Sequence, residues 1–238
     1  MAAEQFSPTL PPSLTDMAQR DIVGPASSIA QTGLLLSGGG ARAAYQIGVL
    51  EAIAEIRRGC GLQSAPNPFP ILTGTSAGAI NAAALACHCD DFDHAVHRMA
   101  HVWRNMRTEQ IYKADSLSML RSGTRWVTLL SLGWAMARWS RMRPRSLLDN
   151  SPLAALLNGE LMPFERIPDL IKRGHLQALA ITASSYSSGQ HITFFQNHET
   201  LSPWVRDQRR AVQTTLTHEH LLASSALPFI FPATPLPM

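Results

Sequence analysis

The sequence is poor in cysteine, in charge and in long apolar runs, and each shortage removes a class of protein. Three cysteines, Cys60, Cys87 and Cys89, in 238 residues supply neither a disulfide framework nor paired CxxC zinc ligands. Buried free thiols in a reducing compartment are therefore expected. Charged side chains make up only 16% of the chain, with a formal net charge of +3. That balance lacks the clustered basic charge of a nucleic-acid binder, so no nucleic-acid partner is expected, whereas anionic lipid is compatible with it. The longest apolar-leaning stretch, Trp126 to Trp139, falls short of the roughly 20 residues that span a bilayer. The opening MAAEQFSPTLPPSLTDMAQRDIVGPASS has no positively charged start and no apolar core of a secretory signal, so a cytoplasmic location is expected. No internal repeat or low-complexity block is present.

What is there is an ordinary globular composition, 45% hydrophobic, and enough length for one substantial α/β domain. Residues 1–32 read as a flexible Pro- and Ser-rich lead-in, and residues 33–238 as the domain. Gly33 to Leu36 is a short apolar run ended by Ser37-Gly38-Gly39-Gly40, followed by a helical pattern through Ala44, Ile47, Leu50 and Ile53. A second apolar run, Phe69 to Leu72, breaks at Gly74 and leads into an alanine-rich helix from Ala77 to Ala86. Helices are also expected over Phe92 to Asn105, around Pro152 to Leu157, over Ile167 to Arg173 and around His218 to Ser224. Strands are expected over Leu176 to Thr182 and His191 to Phe195, joined by the turn-rich SSYSSGQ. Alternating strands and helices predict a mostly parallel sheet covered by helices, with the site at the strand C-terminal ends.

The sharpest chemical signal is Gly74-Thr75-Ser76-Ala77-Gly78, a GxSxG between an apolar strand and a helix. In that setting the serine sits on a tight turn with its hydroxyl free of backbone, and the glycines remove Cβ atoms that would collide with the adjoining elements. A second glycine loop, Gly38-Gly39-Gly40-Ala41-Arg42, also ends a strand and opens a helix. Successive backbone N–H groups there form an anion-binding concavity. Beside a serine nucleophile it would hold the oxyanion of an acyl intermediate, each donor being worth about 3 kcal/mol. Gly38, Gly40 and Ala43 also satisfy a dinucleotide-binding GxGxxA, but the acidic residue that such a site wants about 20 positions on is missing from the next strand end.

The pair SGGGARAAYQIGVL and GTSAGAINAA, with RSLLDNSPLAALL and ASSALPFIFP further on, resembles the patatin-like phospholipase family from Leu34 onward. The resemblance implies a three-layer α/β/α sandwich and hydrolysis of acyl esters of lipids by a Ser/Asp dyad, without catalytic histidine, metal or cofactor. It also implies Ser76 as nucleophile within the elbow Gly74, Thr75, Ala77 and Gly78, and an oxyanion loop of Gly38, Gly39, Gly40 and Arg42. The family's aspartate follows the ALPFIFP-like segment in a DGG or DGA motif. None of Asp16, Asp21, Asp90, Asp91, Asp93, Asp115, Asp149, Asp169 or Asp207 precedes a glycine. The expectation is a partial domain whose C-terminal portion, with the dyad aspartate, is missing. A serine without an adjacent base is a poor nucleophile, so a catalytically inactive lipid-binding or regulatory role is the competing reading.

Other chemistry-bearing groups make weaker candidates. The order Ser76, Asp169 or Asp207, then His218 or His220 matches α/β-hydrolases, but only one strand is predicted before the nucleophile strand; those histidines are expected to flank a surface helix. His88, Cys89, Asp90 and Asp91, with His94, His97 and His101, offer metal-capable side chains without a tight ligand set, and read as a polar loop with Asp91 near a helix N-cap. Met119 to Arg145 combines Trp126, Trp134 and Trp139 with six arginines. It fits either an interfacial helix on anionic lipid or a helix pair covering the core. The oligomeric state is left open.

Overall fold

The computed structural model describes residues 32–107, 111, 150–157, 162–198, 202–228 and 230–236. The expected lead-in up to residue 31, and the Met119 to Arg145 segment, lie outside the described residues.

Six strands form one sheet: β1 (Gly33–Leu36), β2 (Ile71–Thr75), β3 (Ala178–Ser184), β4 (His191–Asn197), β5 (Trp204–Arg206) and β6 (Arg209–Gln213), in the order β1-β2-β3-β4-β6-β5. The β1/β2, β2/β3 and β4/β6 pairs are parallel, and β3/β4 and β5/β6 are antiparallel. This is the mostly parallel α/β sheet that the strand and helix grammar predicts, consistent with the patatin α/β/α fold. The helices among the described residues are α1 (Ala44–Gly59), α2 (Ala77–Cys87), α3 (Phe92–Asn105), α4 (Ser151–Leu157), α5 (Ile167–Lys172) and α6 (His218–Ser225). Each glycine loop ends a strand; the first enters α1 through a 3-10 turn, Gly40–Ala43.

Helix α2 is buried at almost every position from Ala77 to Cys87, which explains its alanines. Small side chains let its backbone approach β1 and β2 closely, while alanine keeps helix propensity high. Larger residues then fill the surrounding core: Leu50 from α1, Leu72 and Ile181 from the strands, and Ile167 and Leu170 from α5 are fully buried. Among the described residues no helix is long and apolar enough to cross a membrane.

Two local expectations change. Strand β2 does not break at Gly74 but runs on to Thr75, because Gly74 keeps its place in the ladder opposite Leu36 and Ile181. The segment WVRDQRRAVQ, which has no apolar period, forms the β5–β6 hairpin by pairing along β4. Of the cysteines, Cys87 and Cys89 are buried as expected, whereas Cys60 is exposed at the end of α1. Burial pushes the Cys89 thiol up to about 12 and raises Cys87 further, so neither supplies a thiolate near neutral pH.

The strand polarities bring four connections to one edge of the sheet: the loop after β1, the turn after β2, the β3–β4 turn and the β5–β6 turn. Register shows this directly, since Leu36 lies beside Gly74, Thr75 beside Thr182, Ser184 opposite His191, and His191 beside Arg209.

The backbone clearances give a paired prediction. A Cβ at Gly78 would lie 2.2 Å from the Leu36 carbonyl oxygen, whereas one at Gly48, inside α1, would meet nothing within 4 Å. Denaturant melts should show Gly78→Ala losing about 3 kcal/mol or more, and Gly48→Ala gaining about 0.5 to 1 kcal/mol.

Candidate active site

Ser76 sits between β2 and α2 with φ 55 and ψ −129. Such a conformation costs a residue with a Cβ about 1 to 3 kcal/mol and persists only where the surroundings impose it. Here they do. A Cβ at Gly74 would lie 2.4 Å from the Gly78 carbonyl oxygen, and Gly78 presses equally closely on Leu36 and Ser37. Strand and helix therefore meet at van der Waals limit on both sides of Ser76, and the chain has room only for a sharp reversal. The Ser76 carbonyl accepts from Ala79 N (2.9 Å) and Ile80 N (3.2 Å), which starts α2.

The first glycine loop lies against this turn. A Cβ at Gly38 would be 3.2 Å from Ser76 Cβ and 3.9 Å from Ser76 Oγ, so the two motifs, far apart in sequence, share one site. Gly40 has φ +55, and Arg42 N donates to Gly39 O at 3.2 Å to close the turn. The first N–H groups of that helical turn have no acceptor within it. Arg42 is exposed, and its bond within the loop is this backbone one.

Two sets of contacts that the sequence reading did not single out hold the site. Buried Asn81, on α2, donates to Ala43 O at 3.2 Å and to Gln46 Oε1 at 2.9 Å, and accepts from Trp103 Nε1 at 2.9 Å. Gln46 Nε2 donates in turn to Ser37 O at 2.8 Å. Both ends of the glycine loop are thus tied to the helix that starts at Ser76. The second set runs through Ser224 near the end of α6: its Oγ accepts from Ser76 N at 2.8 Å and donates to Thr182 O at 2.6 Å. Ser224 lies inside the ASSALPFIFP segment, but a serine among small residues carries no sequence signal for that role. A pocket of about 320 Å³ opens beside it, lined by Ala183, Ile192, Phe194, Ala223, Ala226 and Leu236 among others. Ser76 does not line this pocket.

The remaining candidates separate from the site. His220 is buried, not on a surface: its Nδ1 accepts from Thr217 N at 3.1 Å in a capping box at the start of α6, its ring edge against Phe194. His218 contacts Met162 O at 3.0 Å. Both lie at the end of α6 away from Ser224, and among the described residues their partners are Thr217 and Met162 rather than Ser76 or an aspartate. Arg166 takes the polar loop after α2, donating to Cys87 O, His88 Nδ1 and Asp90 Oδ2 at 2.9, 3.0 and 2.7 Å. Asp91 caps α3 through His94 N at 2.9 Å, as expected. His94, His97 and His101 are exposed, and no metal-binding group occurs among the described residues.

Two outcomes follow. Ser224→Ala leaves a partly buried N–H and carbonyl without their partner and should cost about 1 to 2 kcal/mol in chemical melts, while Ser224→Thr, which keeps the hydroxyl, should restore most of it. Burial lowers the pKa of His220 from its ordinary 6.5, outweighing the opposing pull of Glu219. The neutral ring is the one that caps, so the unfolded chain takes up the proton first. Stability should be full above about pH 6.5 and fall as pH drops below it. His220→Gln, which can cap without titrating, should flatten that slope in melts between about pH 7 and 5.

Comparison with known proteins bears on the family. No curated protein sequence matches the chain. A solved structure, the heterodimeric complex ExoU–SpcU from the type III secretion system of Pseudomonas aeruginosa, is similar at 22% identity over 69% of this chain, with a TM-score of 0.29. The match covers 32% of that chain, so this chain spans less than a third of its length. The family profile described as patatin-like phospholipase matches residues 34–237, nearly the whole of the described domain. On that match, the chain belongs to the patatin-like phospholipase family.

Proposed function

We propose that this domain hydrolyses acyl esters of lipids, with Ser76 as nucleophile and the Gly38-Gly39-Gly40-Ala41-Arg42 loop as oxyanion hole. The observation that carries the reading is the strained backbone of Ser76, φ 55, held against Gly38. Strain of this kind, held in place by packing, clusters at functional sites, and a serine on such a strand-to-helix turn is the setting of a nucleophile elbow. In the reaction, Ser76 Oγ attacks the acyl carbonyl carbon as its proton passes to a carboxylate. The oxyanion settles against the loop amides, the alcohol leaves with the proton, and water then releases the fatty acid from the acyl-enzyme. Family membership supports a lipid substrate.

The carboxylate is proposed to lie outside the described residues. Within them, Asp90 pairs with Arg166, Asp93 with Arg58 and Asp169 with Arg173, and Asp91 caps α3. Asp207 stands in the β5–β6 turn, with β3, β4 and β6 counted across the sheet from β2. This distribution also favours a second reading, a lipid-binding domain that does not turn over.

Turnover of a fluorogenic short-chain ester, together with fluorophosphonate labelling, decides between them. The protein is expected to label at Ser76, and Ser76→Ala should lower its kcat/KM by about 10³-fold or more. Turnover that survives Ser76→Ala contradicts the nucleophile assignment. Labelling at Ser76 without turnover favours the lipid-binding reading.

A further inference from the structure

The β5–β6 hairpin has the composition of a membrane anchor and stands on the edge of the sheet that carries Ser76. Trp204, Val205, Arg206, Asp207, Gln208, Arg209 and Arg210 are exposed without interruption, and Val205 reaches 68%. In an outer strand, solvent-facing positions are ordinarily polar throughout. Here an indole and a branched aliphatic side chain stand among three arginines, with Asp207 the one acid in the hairpin. Register sorts them by face: Trp204 lies opposite buried Ala211, Arg206 opposite Arg209, and Val205 opposite Arg210. Trp204 and Arg206 share a face, and the Arg206 guanidinium lies 5.3 Å from the Trp204 ring centroid. That stack puts cation and aromatic ring side by side, the combination that sits at the headgroup level of a bilayer.

Position makes the hairpin more than a basic patch. His191 N donates to Gln208 O, and Ser185 N to Gln190 O, both at 2.8 Å, which ties the β5–β6 and β3–β4 turns into one rim. Exposed Tyr186 continues that rim and donates its hydroxyl to Ala226 O, beside exposed Leu227 and Ile230. Across the site, Tyr45 stands exposed just beyond the glycine loop. The described acids other than Asp207 lie elsewhere: Glu51 and Glu55 along α1, Asp90, Asp91 and Asp93 beyond the far end of α2, Glu165 and Asp169 around α5, and Glu219 at the far end of α6. The rim is therefore aromatic and cationic.

We propose that the β5–β6 hairpin, through Trp204, Val205, Arg206, Arg209 and Arg210, docks the domain on an anionic phospholipid bilayer and turns the Ser76 edge toward it. Charge complementarity selects the occupant: a neutral or cationic surface gains nothing from three exposed guanidinium groups, whereas anionic headgroups do, and the indole and Val205 enter the interface. The inference rests on the lipid-hydrolase reading for its purpose but not for its test.

The test is flotation of the chain with vesicles of phosphatidylcholine alone and of phosphatidylcholine with about a third phosphatidylglycerol. The chain is expected to float with the anionic vesicles at low salt and to release from them at high salt. The triple variant Arg206→Gln, Arg209→Gln, Arg210→Gln should lose roughly a hundredfold in partitioning, taking about fivefold for each arginine near such a surface. Trp204→Ser should weaken binding to both kinds of vesicle. These side chains are exposed, so circular dichroism melts should match those of the parent chain. Triple-variant binding equal to that of the parent overturns the proposal, as does a preference for neutral vesicles or retention by single-stranded RNA without flotation. Ester turnover is read separately: its outcome bears on the hydrolase reading alone, and arginine-dependent flotation without it leaves the docking surface standing.

Discussion

Gly78 has no room for a side chain because the carbonyls of Leu36 and Ser37 occupy the place where its Cβ would lie, 2.2 to 2.5 Å away. That closeness fixes α2 against the end of β1. Gly74 sets the matching limit from the other side, where the strand passes under Gly78 and Ala79. With strand and helix held this near, residue 76 must reverse the chain within one step, and its φ of 55 is the result. The cost of that backbone, about 1 to 3 kcal/mol, is offset by burial of nearly all of α2. The same contact sets the glycine loop beside Ser76, since the loop starts where β1 ends.

Once those backbones are fixed, side-chain hydrogen bonds decide how firmly the site keeps its shape. Asn81 holds the loop from below through Ala43 and Gln46, and its own position is held by Trp103 of α3. Ser224 does the corresponding work for the elbow, joining β3, β2 and α6 through one hydroxyl. Its helix begins with the capping box of Thr217 and His220, so protonation of a buried imidazole bears on the same helix that orients Ser76. The proposed oxyanion loop would be served by such bonds, because a donor already aimed at the developing charge requires no reorganisation.

Much of this could be read from the sequence because the chemistry depends on backbone. Gly38, Gly40, Gly74 and Gly78 announce tight turns and close approaches wherever they fall after apolar runs, and Ser76 stands out only because they frame it. The alanines of α2 likewise mark a helix that packs closely, since they combine high helix propensity with the smallest side chains. What the sequence does not announce depends on tertiary neighbours. Ser224, Asn81 and Gln46 are polar residues in helical segments and acquire meaning only from what lies opposite them. Strands β5 and β6 lack an apolar period because their side chains mostly face solvent, and β4 recruits them by main-chain pairing. Arg42 belongs to the glycine loop by sequence, yet it lies exposed, with its backbone N–H rather than its guanidinium closing the turn.

The most direct trial of Ser76 as a pre-strained nucleophile facing an amide nest is the crystal structure of a phosphonate adduct. The account predicts continuous density from Ser76 Oγ to phosphorus, an unchanged positive φ at Ser76, and a phosphoryl oxygen about 2.7 to 3.1 Å from amides of the Gly38–Arg42 loop. Phosphorus on another residue, or a phosphoryl oxygen turned away from that loop into solvent, would contradict it.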